Sequence, residues 1–227
     1  MFRKPVVSIL LVLSALTLAG IASLAAAGRH GIVLSQDGRT VITKQSPSHI
    51  TPFVEPVALT TIAGNLSKYP NGVYFCCYGN TISGPNSALG TAYWAAIPFT
   101  PTADTSVRAI EVSVGYIEGA NGVTISLNAD ASGVPGAQIA GGDVLGLQPY
   151  GDCCQLAVAK GRGGVPVNAG TQYWVVVSTS SNLSTAFDAW AFNSTDMRAL
   201  PIAFYSSSSG VWGASQSLLP GYAVLGN

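Results

Sequence analysis

The pattern of apolar and polar positions is read most clearly in the middle of the chain. Val107–Tyr116 places Ile110, Val112, Val114 and Tyr116 on one face, with Ala109, Glu111, Ser113 and Gly115 on the other. Val123–Asp130 repeats the alternation, with Val123, Ile125, Leu127 and Ala129 set against Thr124, Ser126, Asn128 and Asp130. A period of two marks half-buried antiparallel strands. Tyr173–Ser178 is apolar on both faces and reads as a central strand beneath a second layer. Tyr93–Phe99, Cys153–Ala159, Ala186–Phe192, Ile202–Tyr205 and Gly221–Leu225 supply further strands. Between them lie turn signals: Asn121-Gly122, Ser132–Gly136 and Asn168–Thr171. About nine short strands without an amphipathic helix predict an all-β fold. Its expected form is a two-sheet antiparallel β-sandwich, jelly-roll-like, occupying residues 59–227 as one domain.

The first 58 residues follow other rules. Arg3 and Lys4 precede an apolar run from Val6 to Leu24, and Ala25-Ala26-Ala27 forms a small-residue cleavage site before Gly28. Residues 1–27 therefore read as a secretory signal peptide, cleaved after Ala27. After cleavage no remaining segment has the roughly 20 apolar residues of a membrane helix, so a secreted or periplasmic protein is expected. Residues 28–58 carry both histidines, His30 and His49, with Arg29, Arg39 and Lys44. They read as a leader or linker, open to disorder, with a hairpin around Asp37-Gly38 as their one structural signal.

Composition then removes several functions. Only 9% of residues are charged and the formal net charge is zero, with no Lys/Arg cluster beyond the first four residues. Nucleic acid is therefore not an expected partner. No histidine occurs from residue 50 onward, so the β domain cannot supply a Ser-His-Asp triad, a Cys-His pair or a His-ligated metal. Asp and Glu are the remaining acid/base groups. Two carboxylates can serve glycoside hydrolysis, and Glu111 or Glu118 paired with Asp188 is the least unfavourable choice. No cofactor is expected. Calcium is the one ion to weigh, because Asn128, Asp130 and Ser132 resemble part of an oxygen-ligand loop, although no downstream Glu completes it. An Asx-turn closing a hairpin explains Asp130 as well.

The four cysteines form two adjacent pairs, Cys76-Cys77 and Cys153-Cys154. In an oxidising compartment they imply disulfides, for which three connectivities exist. Bonds between the pairs, vicinal rings within each pair, and free or metal-bound thiols all remain open.

One window concentrates binding chemistry. Phe187–Asp196 combines Asp188, Trp190, Asn193 and Asp196, the mixture of ring faces, carboxylates and amide that holds sugars. The competing reading puts Trp190 in the core and leaves only the loop residues accessible. Trp174, among valines, reads as core, whereas Trp212 in Ser-Gly-Val-Trp-Gly reads as more exposed, with a hairpin-capping role as the competing reading. Trp212 therefore joins Asp188, Trp190, Asn193 and Asp196 as a candidate ligand contact.

Several stretches in order carry a family resemblance: Phe99–Asp104, Ile110–Tyr116, Val123–Gly136, Gly151–Leu156, Asn168–Val177, and Asp188-Ala189-Trp190 before Asn193-Ser194-Thr195. Over roughly residues 60–227 the chain resembles the bacterial extracellular choice-of-anchor domains of type R. The resemblance implies an exported β-sandwich, often followed by a C-terminal sorting signal, and supplies no catalytic residues. Two functions follow as expectations. One is a non-catalytic exported module that binds a glycan or extracellular partner or serves structurally. The alternative is an extracellular carboxylate-based glycoside hydrolase.

Overall fold

The computed structural model describes residues 32–43, 59–66, 74–151 and 157–227; of residues 43, 74–77, 157–158 and 160–162 it describes the backbone alone. The signal peptide, Cys153 and Cys154 lie outside the described residues, as do the side chains of Cys76 and Cys77.

Fifteen strands are present among the described residues. They are β1 (Ile32–Leu34), β2 (Thr40–Thr43), β3 (Thr60–Gly64), β4 (Tyr74–Ser83), β5 (Tyr93–Phe99), β6 (Thr105–Val112), β7 (Val114–Glu118) and β8 (Gly122–Asp130). There follow β9 (Pro135–Leu145), β10 (Ala157–Val167), β11 (Tyr173–Ser178), β12 (Phe187–Asn193), β13 (Ala199–Ser206), β14 (Trp212–Leu218) and β15 (Tyr222–Gly226). Among the described residues a 3-10 turn at Ser181–Leu183 interrupts them. None of the described helical segments is long and apolar enough to cross a membrane.

The two-sheet antiparallel sandwich expected from the sequence is the architecture. The larger sheet runs β1-β2-β4-β5-β11-β8-β9, with β12 and β7 added beside β4 and with β13 and β14 added beside β5. The smaller sheet runs β10-β6-β15-β3. The alternating residues behave as their period requires. Val123, Ile125 and Leu127 of β8 and Val175 and Val177 of β11 meet Ile110 and Val112 of β6 and Val224 of β15 between the sheets. β11 is central, paired to β5 on one side and β8 on the other, which accounts for its apolar character on both faces.

Val107–Tyr116 departs from the single expected strand. The alternation continues through it, and Ile110, Val112 and Val114 all reach the main core, but the backbone changes sheets at Ser113. The Ser113 hydroxyl donates to the carbonyls of Ala191 (2.9 Å) and Gly221 (3.2 Å), tying β12 and the start of β15 to this crossover. Trp190 donates its indole N–H to the same Gly221 carbonyl, 2.9 Å away. Glu111, on the polar face of its strand, is buried rather than solvated.

The segment read as a leader contains structure. β1 and β2 form the hairpin around Asp37-Gly38, and β2 pairs with β4 through Thr40↔Asn80, Val41↔Gly79 and Ile42↔Tyr78. Ile32 and Val41 cover a second cluster built from Ile117, Tyr150, Phe187, Ala189 and Ala191. Residues 32–43 are thus part of the domain, and its described boundary begins before residue 59.

Candidate functional site

β12 positions the residues singled out from the sequence, and it takes most of them inside. Phe187, Ala189 and Ala191 face the hairpin-covered cluster, so Asp188, Trp190 and Phe192 face the opposite way. Trp190 is 0% exposed within the main core, so the indole offers no face to a surface ligand. Asp188 is also 0% exposed, opposite Ile82 of β4 and Tyr116 of β7. Neither of its carboxyl oxygens has a hydrogen-bond partner among the described residues. Burial pushes its pKa well above the ordinary carboxylate range, favouring the neutral acid.

Asn193 is a joint of the scaffold. Its carbonyl oxygen accepts from Thr195 N, Thr195 Oγ1 and Asp196 N at 2.8–2.9 Å, and its amide donates to Asn65 O at 3.2 Å. Asn65 in turn accepts from Tyr222 N and donates to Pro220 O. The sequence offered no signal for Asn65, whose role depends on strands more than 150 positions away. Asp196 is partly exposed and grips Arg198 through two bonds of 2.6 and 2.7 Å. Burial pushes the phenol of Tyr222 up to about 12, with the Asp196 carboxylate adding to the shift.

The carboxylates considered for hydrolysis do not form a facing pair. Asp188 points between the sheets. Glu111 lies on β6 of the smaller sheet, beside Ala109 and Ala223 and turned from the main core, and Glu118 is exposed at the end of β7. The oxygen-ligand loop is likewise committed to the scaffold. Asp130 Oδ1 accepts from the Trp174 indole and the Gln172 amide, both at 2.7 Å, and both carboxyl oxygens accept from Gly133 N at 3.2 Å. Asn128 bonds Ser126 Oγ and Gly136 O. The described residues contain no cluster of three metal-ligating side chains. Trp174 is buried as read, but on the outer face of the larger sheet, with Ala96, Val176 and Ala203.

Strand register assembles a different site from residues far apart in sequence. Trp212 on β14 lies opposite Tyr205 on β13, and Tyr205 lies opposite Trp94 on β5. Cross-strand partners share a face, so three rings form one row on the outer surface. Trp94 and Tyr205 stack at 4.3 Å between centroids and 16° between planes. Trp212 stands at 5.7 Å from Tyr205, tilted by 53°. All three are half-buried. Neither the Tyr205 hydroxyl nor the Trp212 indole N–H makes a hydrogen bond among the described residues.

The row continues as polar groups. Ser178 of β11 lies opposite Thr124 of β8, which lies opposite Asp143 of β9. Thr124 Oγ1 and Ser180 Oγ donate to Asp143 at 2.6 and 2.8 Å, and the Trp94 indole donates to Thr179 Oγ1 at 3.1 Å. Five strand spacings separate β14 from β9, roughly 24 Å in all. Trp212 is the one member that the sequence marked; Trp94 and Tyr205 carried no local signal, because only pairing brings them to it. No known protein family, curated protein or solved structure matches the chain.

Proposed function

We propose that this chain is an exported, non-catalytic β-sandwich module that binds a glycan along the row Trp212–Tyr205–Trp94 and its polar continuation. The observation that carries the reading is the half-exposed three-ring cluster in register with Ser178, Thr124 and Asp143 on one sheet face. Sugar rings present apolar C–H faces and equatorial hydroxyls, which aromatic rings and a hydroxyl–carboxylate row complement. Export rests on the apolar N-terminal run and its Ala-rich cleavage site, and the resemblance of residues 60–227 to choice-of-anchor domains agrees with it. Hydrolysis is not favoured, because Asp188, Glu111 and Glu118 share no cleft.

A glycan array probed with the secreted protein tests the reading. Binding to at least one extended oligosaccharide is expected, with Trp212→Ala reducing it tenfold or more and leaving the melting temperature within a few degrees. An array without hits, or full retention of binding in Trp212→Ala, overturns the assignment. Export is tested separately by intact mass, which should place the mature N-terminus at Gly28.

A further inference from the structure

A cleft of about 470 Å³ enters the sandwich between its two edge strands, β9 of the larger sheet and β10 of the smaller. Its accessible aliphatic side chains are the half-buried Val144 of β9 and Ala159 and Val165 of β10, which pack against the main core, while Ile110, Ile125 and Leu127 line it from below as buried residues. Sequence explains why it is open. Gly142 lies opposite Ile125 on the inner face, and a Cβ placed there would meet nothing within 4 Å. Ala140 and Ala159, also small, line the same space. Larger residues at these positions would have closed the sandwich edge. The volume lies in the range of ligand cavities rather than of packing defects.

The lining includes one cation, Arg108. Its Nε donates to Asn227 Oδ1 at 2.9 Å. Its stem lies across Gly164, where a Cβ would come within 3.0 Å of Nε and 3.1 Å of Cδ. The two terminal nitrogens of the guanidinium have no hydrogen-bond partner, and Arg108 has no acidic partner, among the described residues. Asp143, the carboxylate among the lining residues, is held by Thr124 and Ser180 on the outer face. A cleft that joins half-buried aliphatic side chains to a guanidinium with no acidic partner among the described residues complements an amphiphile whose head accepts two parallel hydrogen bonds.

We propose that the β9–β10 cleft binds an aliphatic monocarboxylate, its chain against Val144, Ala159 and Val165 and its carboxylate on the terminal nitrogens of Arg108. This site is separate from the aromatic row and stands whether or not that row binds glycans.

Calorimetric titration of the secreted protein with laurate, below its micellar concentration, tests the assignment. Saturable one-to-one binding is expected, with dodecanol at least tenfold weaker. Arg108→Gln should reduce laurate to the level of dodecanol. Gly142→Leu and Ala159→Leu should each abolish binding of both probes while the melting temperature stays at or above that of the parent. If one filling variant fails to fold, the other decides. Absence of saturable laurate binding, unchanged affinity in Arg108→Gln, or laurate binding retained by a folded filling variant would each overturn the proposal.

Discussion

Two aspartates show how the same side chain takes opposite parts in one domain. Asp188 is sealed beside Ile82 and Trp190, and Asn80, its diagonal neighbour across β4, likewise has no side-chain partner among the described residues. An unfolded Asp loses its proton near 3.8, whereas burial holds the folded one protonated to higher pH. Above that value folding takes up a proton, so this residue's contribution becomes more unfavourable as pH rises toward the folded pKa. Asp188→Asn should therefore melt higher than the parent at pH 7, by the equivalent of roughly 1–3 kcal/mol, with the advantage vanishing toward pH 4. Thermal melts across that range check both the sign and the slope. Asp130 runs the other way. The Trp174 indole, with Gly133 N–H and the Gln172 amide, holds its carboxyl below the usual range. Its stabilisation is fully present above the unfolded pKa and is lost as pH falls through the lower folded one. Asp130→Ala leaves the Trp174 indole N–H without this acceptor and should cost about 1–2 kcal/mol at pH 7. Chemical denaturation at pH 7 and at pH 3 should show that cost shrinking in acid.

At the scale of elements, legibility followed side-chain period. β8 and β11 were readable within a residue, because strict alternation and an unbroken apolar run each leave one reading. β9 and β14 were not. β9 is an edge strand with Gly136, Gly141 and Gly142 and mostly exposed side chains, and β14 holds Gly213, Ala214 and three polar residues. Edge strands bury little, so they carry little hydrophobic pattern. The β8–β9 turn, by contrast, is fully specified locally. Ser132 and Gly133 both have positive φ, 59° and 86°, between Ala131 and Val134, whose backbones are hydrogen-bonded at 2.8 Å. That is a two-residue turn of type I′, where Asn-Gly is the favoured pair. Ser132→Asn should stabilise by a few tenths of a kcal/mol to about 1. Gly133→Ala, whose Cβ would meet nothing within 4 Å, should cost about 1 kcal/mol through φ alone. Paired urea titrations of the two variants should show midpoints moving in opposite directions at unchanged slope.

For the whole molecule, what sequence could not provide was register between distant strands. The ten-residue density of carboxylates and rings in 187–196 pointed to a site, yet a strand paired on both sides buries such residues regardless of their polarity. The row Trp94, Tyr205 and Trp212 became visible only once β5, β13 and β14 lay side by side. The same limit applies to the N-terminal boundary. Residues 28–58 lack the pattern of a core because their hairpin contributes one cover strand, not a layer. That hairpin nevertheless closes a cluster that β7, β12 and Tyr150 cannot close alone. Val41 is 0% exposed there, and Arg39 places its guanidinium 5.3 Å from the Phe204 ring centre. A dispensable leader and an integral strand predict different outcomes for the same deletion. A chain beginning at residue 59 would expose Ile117, Phe187 and Ala189 and strip the pairing from residues 78–80 of β4. It should melt several degrees lower than the protein beginning at Gly28 and bind a hydrophobic dye before its main transition. Val41→Ala, which keeps the hairpin but removes two buried methyl groups, should cost about 1–3 kcal/mol. Equal melting temperatures for the three proteins would show the hairpin to be an ornament on a domain that is complete without it.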